Sequence, residues 1–598
     1  MFESRVTRPV LAFAVFAFLA ASVGATEVTL NAPGVSKDFG EKLRRSSLSI
    51  ATAAGEDVTP QDMLAAAQAD YARLVGVLYA AGYFGGVIKI NVDGQEAANI
   101  PPLSTPKRID RVTLDVRPGA PFFFSTARIA PLANGTTLPE GFAKGQQARG
   151  DLIGEAAAAG ILRWREVGYA KAKVVSQEIT ADHKKHTLSA DIGLSQGPWL
   201  RFGNLNIARQ GRVRDKRIRE IAGLPTGDVY SPDEVRKAAT RLRRTGAFRS
   251  VVLEENESTG PSDTLDITAD LTDAKRRRVG VGAELSSLEG LTLSGFWLHR
   301  NLLGGAERLR FDGEISGIGG DSGGIDYRLS TRFERPATFT PDTSLFLLAK
   351  LEELDDPDYR ERNIQLGAGL SHIFSDKLTG EAGITYRYTE IDDDLGSRSI
   401  QHLIFPLRLT LDKRDNALDA TKGFYIDLHT DPFIGLDEST TGARVYADTR
   451  VYRSFGANDG VTLAARAQLG SVAGASTADV PPDMLFFSGG AGTVRGQPYQ
   501  SLAVELSGGR RVGGRSFMAF SGEVRADITD KLGLVVFADT GFVGQDAWAT
   551  ENGNWHSGAG IGARYTTGVG PIRVDVATPI DGSSGTDFEL YIGIGQAF

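Results

Sequence analysis

The sequence predicts three small α+β repeats, each β-α-α-β-β, followed by an all-β, 16-stranded antiparallel transmembrane barrel. Three observations support this fold class: an apolar leader, a helix–glycine–strand pattern that occurs three times in the first half, and charged period-two alternation in the second half. With 598 residues, the chain is long enough for several domains.

Residues 1–25 are predicted to be a signal peptide. Two arginines precede an unbroken apolar run, Val10–Ala21, and Val23 and Ala25 supply the small residues that a signal peptidase accepts. An uncleaved anchor is the alternative, but the run is short for a membrane span. We therefore expect secretion, with cleavage after Ala25.

The composition excludes several classes of protein. Only 41% of the residues are hydrophobic and no long apolar stretch follows the leader, so any membrane span must belong to a closed barrel. The net charge of −8 gives no indication of nucleic-acid binding, and the absence of cysteine excludes disulfides and thiolate metal sites. Because no catalytic constellation or phosphate loop is found, we predict no enzyme, no cofactor and no metal site.

A repeated pattern organises the first half. Three amphipathic helices end at Gly82, Gly168 and Gly246, which lie 86 and 78 residues apart, a spacing of domain size. Each glycine stands where a helix C-terminus favours a left-handed residue, and alternating strands follow it. The pattern predicts one β-α-α-β-β unit in each of three segments: 26–119, 120–197 and 198–275.

This element order resembles the polypeptide-transport-associated (POTRA) domain. The resemblance covers about residues 27–274 in three tandem copies. The alternative is three unrelated α+β modules. The resemblance implies a periplasmic arm that precedes the barrel.

The second half, residues 276–598, alternates with period two. Leu309 and Phe311, for example, alternate with Arg310 and Asp312, which suits a wall with lipid outside and a wet lumen inside better than a dry core. A soluble array of β-sandwiches is the alternative. One connection, about 472–513, is much longer than the others. The predicted strands are about 280–288, 292–301, 307–316, 325–334, 343–352, 362–374, 377–390, 400–412, 423–431, 441–455, 460–471, 514–528, 531–540, 557–566, 571–578 and 586–598.

The last predicted strand has two features. Its alternation places the terminal Phe598 on the lipid face, which resembles the outer-membrane barrel assembly signal. Gly593 and Gly595 lie in its predicted interior, where glycine weakens a strand and allows a bend. We therefore expect a lateral seam between the first strand, 280–288, and the last.

Several short segments resemble the BamA/TamA superfamily of outer-membrane assembly and translocation barrels. One is a turn motif, D-x-R-D-N-x-x-x-P-x-x-G, which this chain matches except for Ala420 at the proline position. The matching turn residues are Asp412, Arg414, Asp415, Asn416 and Gly423. The other segments are Asn301–Leu309, Gly489–Gly496, Phe537–Gly541 and Gly570–Arg573.

In that superfamily the long loop folds into the lumen, and its arginine pairs with inward acids. The resemblance implies that Val494, Arg495 and Gly496 form this motif, with Asp539 and Glu523 as the acceptors. Strand alternation independently places both acids on the lumen face. The alternative is that Arg495 is a solvated loop arginine. Gln497 stands where the family usually has an aromatic residue, which puts the packing of the loop tip in doubt.

The resemblance also implies a function. Three repeats with a sixteen-stranded barrel are similar to TamA-type members, which implies insertion or secretion of outer-membrane proteins such as autotransporters. The expected partners are unfolded outer-membrane clients, outer-membrane lipid and an inner-membrane-anchored TamB-like protein. The alternatives are a two-partner-secretion transporter that exports a dedicated substrate through the lumen, and a passive porin. The expected location is the bacterial outer membrane, with the arm in the periplasm.

Overall fold

A computed structural model describes residues 26–55, 58–102, 106–286, 290–320, 323–437, 440–456, 459–529, 531–549, 552–568, 570–581 and 588–598. The predicted signal peptide lies outside these residues. The chain forms two compact units: one comprises residues up to Arg201 with 228–232 and 261–263, and the other comprises 202–227, 233–260 and 264–598.

The first repeat is a four-stranded sheet covered by helices. Thr59 and Asp62 form a capping box that begins its longest helix, and Gly82 follows that helix with a φ of +85°. The strand order is β1-β4-β2-β3, with β1 parallel to β4. The elements are β1 Glu27–Asn31, α1 Lys37–Ser46, α2 Leu48–Ala53, α3 Pro60–Ala80, β2 Val87–Val92, β3 Gln95–Glu96, a 3-10 turn Ala97–Asn99 and β4 Arg111–Arg117.

The second repeat has one helix rather than the two predicted. Residues 131–149, all of them described, form no helix, because this segment contains Pro131, Pro139 and three glycines, all of which disfavour helix. The strand order is β5-β7-β6, which leaves β6 at an edge. The elements are β5 Phe123–Ala130, α4 Gly150–Glu166, β6 Lys173–Asp182 and β7 Thr187–Ser195.

The third repeat has the predicted β-α-α-β-β order. Its first helix ends at Gly223, a left-handed C-cap, and Gly246 follows its second helix with a φ of +68°. The strand order is β8-β10-β9. The elements are β8 Arg201–Ile207, α5 Asp215–Ala222, α6 Pro232–Arg244, β9 Phe248–Glu255, a 3-10 turn Pro261–Asp263 and β10 Thr264–Asp273.

The rest of the chain is a closed antiparallel barrel. Up to the long loop its strands are β11 Arg277–Ser286, β12 Gly290–Arg300, β13 Arg308–Ile318, β14 Asp326–Arg335, β15 Thr343–Asp356, β16 Tyr359–Ser375, β17 Leu378–Asp393, β18 Gly396–Ile404, β19 Leu407–Asp412, β20 Gly423–Gly435, β21 Thr441–Phe455 and β22 Val461–Ala473. After the loop they are β25 Ser516–Asp527, β26 Leu532–Gly544, β27 Gly553–Thr567, β28 Gly570–Asp581 and β29 Glu589–Ile594.

Within the described residues these are seventeen segments but sixteen strands. β18 and β19 both pair with β17 on one side and with β20 on the other, so they are two parts of one strand. The interruption contains Pro406, which has no N–H to donate to a ladder. The predicted sixteen-stranded barrel is confirmed.

The loop between β22 and β25 has a small fold of its own. It contains 3-10 turns at Thr477–Asp479 and Pro482–Met484 and a hairpin of β23 Val504–Leu506 and β24 Arg510–Val512. Its apolar residues pack against the barrel wall in a cluster that includes Val480, Met484, Phe486, Val504, Val512, Phe433 and Phe517. None of the described helices has the length and apolar character needed to cross a membrane.

Candidate functional site

Arg495 lies inside the barrel, between two carboxylates. Its Nε and Nη2 donate to the two oxygens of Asp539 at 2.7 and 2.9 Å, and its Nη1 donates to Glu523 Oε1 at 2.6 Å. Its guanidinium also stacks over the Phe537 ring, 3.6 Å from the centroid. All three charged side chains are buried. The structure thus brings together the loop arginine and both acids named from the sequence.

Glycines make room for the loop motif. Gly496 has a φ of +90°, and a Cβ there would lie 2.6 Å from Thr578 O. A Cβ on Gly541 would lie 2.8 Å from a methyl group of Val494, and one on Gly558 would lie 2.1 Å from Arg495 O. Small residues in the wall therefore let the loop backbone approach closely enough for the forked ion pair.

Sequence reasoning missed three further buried charges of this network. Arg525 donates to Glu523 Oε2 at 2.7–2.8 Å, so the Glu523 carboxylate bridges two arginines. Asp575 pairs with Arg564, and one of its oxygens lies 3.8 Å from Arg495 Nη1. Three guanidiniums are thus balanced by three carboxylates. Inward strand alternation was the signal that could have identified these residues.

Gln497, at the position where an aromatic residue was expected, is fully buried. Its amide nitrogen donates to the carbonyl oxygens of Ser557 and Asp581 at 2.8 and 2.5 Å. The loop tip is therefore held to the wall by hydrogen bonds to backbone rather than by ring packing.

A second ion-pair group holds the base of the loop. Arg387 on β17 pairs with Glu361 on β16 and donates to Asp483 at 2.6 Å, in the 3-10 turn Pro482–Met484. Arg387 and Glu361 are both buried. Buried ion pairs therefore attach the loop to the wall both at Arg495 and at Asp483, and the second attachment lies outside the motif named from the sequence.

The turn motif between β19 and β20 is a self-contained hydrogen-bonded unit. Arg414 forms a fork on Asp412 at 2.7 and 3.0 Å, and Asp415 accepts from the backbone nitrogens of Thr421 and Lys422. Asn416 accepts from two backbone nitrogens of the turn in the same way. Gly423 ends it with a φ of +100°, where a Cβ would lie 2.0 Å from Lys413 O.

The segment after β29 turns into the lumen, which contradicts the predicted lipid-facing Phe598. Gly595 lies just beyond the end of the strand rather than in its interior, and its φ is +90°. Phe598 is 7% exposed and packs with Tyr452, Ala464 and Ala420. Alternation could not predict this outcome, because period two no longer applies once the chain leaves the strand.

The turn motif and Arg525 hold this segment, residues 595–598. Gln596 donates to Leu418 O at 3.1 Å and to Asp419 at 3.0 Å. Arg525 donates to Phe598 O at 3.1 Å. The loop also contacts β29 directly, because Gly496 N donates to Tyr591 Oη at 3.1 Å. The lumen-loop motif, the turn motif and the last strand, found separately in the sequence, are therefore one connected network.

The described part of the seam between β11 and β29 is short. In the part of the chain that the structure describes, its register pairs are Leu285 with Ile592 and Ser286 with Tyr591. Residues 277–284 pair with β12 and, because the chain turns inward after Ile594, have no partner on their other side among the described residues. Gly593 lies on the lumen side, where a Cβ would meet the Arg573 side chain at 3.0 Å.

Comparisons with known proteins match this architecture. A model of the Omp85 superfamily domain matches residues 301–598, and a model of the POTRA surface antigen variable number repeat matches 201–273. BamA from Haemophilus ducreyi lacking POTRA domains 1–3 is 17% identical, with a TM-score of 0.63 over 79% of this chain and 100% of that one. CdiB from Acinetobacter baumannii is 13% identical, with a TM-score of 0.50 over 79% and 89%. At these identities the two structures show the fold.

Proposed function

The chain belongs to the Omp85 superfamily and lies in the bacterial outer membrane with its POTRA arm in the periplasm, and from that premise we propose that it inserts or secretes other outer-membrane proteins, such as autotransporters. The observation that supports this proposal most strongly is the short seam. The open edge of β11 is the part of the wall where a client strand can add without first displacing a full ladder.

The seam combines weak pairing between β11 and β29 with an unpaired strand edge on β11. Each backbone hydrogen bond contributes roughly 1 kcal/mol, so a joint of few bonds costs little to open. An unpaired edge such as residues 277–284 accepts a further strand with little demand on side-chain identity. We propose that the client pairs there and folds outward into lipid, downhill in free energy and without a nucleotide. This mechanism needs no catalytic residue.

The network inside the barrel supports lateral insertion over export through the lumen. Export would require displacement of a loop that Arg495 and Arg387 attach to the wall through buried ion pairs. Lumen export of a dedicated substrate therefore remains the second candidate.

The arm gives clients a first contact in this proposal. β6 is an edge strand of the second sheet, and the segment 175–180 along it is exposed, with Val175 and Ile179 among the exposed apolar residues. We propose that extended clients pair with such edges. Three repeats further suggest a TamA-type member with an inner-membrane-anchored TamB-like partner.

A disulfide across the seam tests the proposal. Leu285→Cys with Ile592→Cys joins register partners of β11 and β29, and the chain has no native cysteine. Glu284→Cys with Thr292→Cys joins register partners of β11 and β12 and is the matched control. The readout is insertion of a urea-denatured autotransporter barrel into proteoliposomes.

We expect the seam disulfide to abolish insertion, reduction to restore it, and the control disulfide to leave it unchanged. Full insertion with the seam demonstrably crosslinked would contradict lateral opening and support export through the lumen.

A further inference from the structure

A cleft of about 270 Å³ lies between α6 of the third repeat and the end of β16. Its charged lining consists of four cations and two acids, a net charge of +2. Ile373 and Phe374 add an apolar side, and Thr240 and Ser375 add hydroxyl groups. The charged lining residues are Arg236, Lys237, Arg241, Arg244, Asp342 and Asp376.

An ion pair makes one side of the cleft rigid. Arg241 forks onto Asp342 with distances of 2.7–3.1 Å and also donates to Ala222 O at 3.2 Å. Asp342 is thus largely occupied by Arg241, and Arg244 reaches it only at 3.4 Å. The cationic character that a ligand meets comes mainly from Arg236, Lys237 and Arg244.

These three side chains remain accessible. The side chains of Arg236 and Lys237 are 65% and 47% exposed, and that of Arg244 is 35% exposed. Asp233 and Glu234, in the first turn of α6, pair with Arg236 and Lys237 but do not line the cleft. Because these pairs are solvent-exposed, a phosphate oxygen can join or replace their carboxylates at small cost.

The cleft lies at the periplasmic end of the barrel wall. β11 follows the periplasmic arm, so successive strands place the turn after β16 on the periplasmic side. Phe374 shares a face of β16 with the exposed Ile364 and Leu366, which is the lipid-facing side, and is 61% exposed itself. An aromatic residue at this height is typical of the membrane interface.

We infer that this cleft binds the phosphate headgroup of an anionic phospholipid of the periplasmic leaflet. Guanidinium and ammonium groups are the natural partners of a phosphate, and Phe374 continues the site onto the surface where acyl chains run. A zwitterionic headgroup brings its own cation next to the cluster and binds more weakly. The bound lipid would hold the third repeat against the membrane below the wall formed by β15–β17.

Native mass spectrometry of the full-length protein in detergent tests this inference. Phosphatidylglycerol and phosphatidylcholine with identical acyl chains are compared on the wild type and on Arg236→Gln with Arg244→Gln. The matched control is Lys216→Gln with Arg249→Gln, which removes two exposed charges of the same repeat outside the cleft. Retained heat-modifiability in SDS verifies that each variant barrel is folded.

We expect the wild type to retain phosphatidylglycerol in preference to phosphatidylcholine. The cleft variant should bind phosphatidylglycerol about 30-fold more weakly, since each basic residue near an anionic lipid contributes roughly a factor of five. The control should bind like the wild type. Equal losses in the two variants would overturn the site, and displacement of the lipid by millimolar inorganic phosphate would assign the cleft to a soluble anion instead. If the cleft variant does not fold, Lys237→Gln with Arg244→Gln takes its place. The same two results, a loss equal to that of the control and displacement by phosphate, would then overturn the site.

Discussion

The wall that carries the loop and the seam that closes the barrel are held together in different ways. β26 and β27 pair continuously from Leu532 with Tyr565 to Gly544 with Gly553. β11 and β29 share two register pairs among the described residues. The wall is therefore stabilised by its ladder, and the lumen charges add to it. The last strand depends on β28 and on side chains that reach it from inside the barrel.

The comparison indicates where a regulated opening can occur. β29 contacts the loop through Tyr591, and the segment that follows it contacts the turn and Arg525. We therefore expect a change at the loop to affect the contacts of the last strand more than the backbone pairing of the wall.

Removing the loop arginine should affect the barrel most. Arg495→Ala leaves Glu523 and Asp539 buried with a lost partner, which costs about 3–5 kcal/mol of unfolding free energy. The urea midpoint of the purified barrel, followed by heat-modifiability, measures it.

Arg510→Ala is the matched control for that measurement, since Arg510 lies in the same loop but is exposed. Arg511 is unsuitable as a control, because it donates to two loop carbonyls and pairs with Asp358 at 3.2 Å. Equal midpoints for Arg495→Ala and Arg510→Ala would show that the ion pair does not stabilise the barrel.

Replacing Arg525 should release the segment after β29 while the strands of the barrel wall stay paired. Arg525→Gln loses the hydrogen bond to Phe598 O and weakens the link to Glu523. We expect the substitution to cost about 1.4 kcal/mol of the free energy that holds the segment in place. A cysteine placed at Ala597 should then react with maleimide about tenfold faster.

Arg466→Gln is the comparison for this labelling, because Arg466 also lies in the lumen but pairs with Asp448 and contacts no residue of the last strand in the described structure. Equal labelling of the two variants would mean that Arg525 does not hold the segment.

Substitution of Gly593, in the last strand, and of Gly595, just beyond it, should have different effects on the segment 595–598. Gly595→Ala forces an alanine to a φ of +90°, which costs roughly 1–2 kcal/mol, although space for a Cβ exists. Gly593→Ala requires only that the flexible Arg573 side chain shift, so its effect should be smaller. Labelling at position 597 should therefore be faster in Gly595→Ala, and the reverse order would argue against a turn that depends on Gly595.

Much of this architecture could be predicted from the sequence. The side of a strand on which a side chain lies follows from its position in the strand, however far along the chain its contact partner is. Glu523 and Asp539 were placed inward by alternation alone, and the structure places both against Arg495. The position of Phe598 could not be predicted in that way, since it depends on one positive φ at Gly595 and on packing with Tyr452, far along the chain. Pro131 and Pro139 indicated that the second repeat lacks one of the two predicted helices. The assumption that all three repeats are equivalent led to the wrong prediction.

We propose that clients enter the membrane at the seam between β11 and β29. Photo-crosslinkers at Val281, 90% exposed on the lipid-facing side of β11, and at Lys350, on the lumen side of β15, test it most directly during insertion of a stalled autotransporter barrel. We predict that Val281 captures a strand of the client while Lys350 captures little. Capture at Lys350 with none at Val281 would contradict lateral insertion.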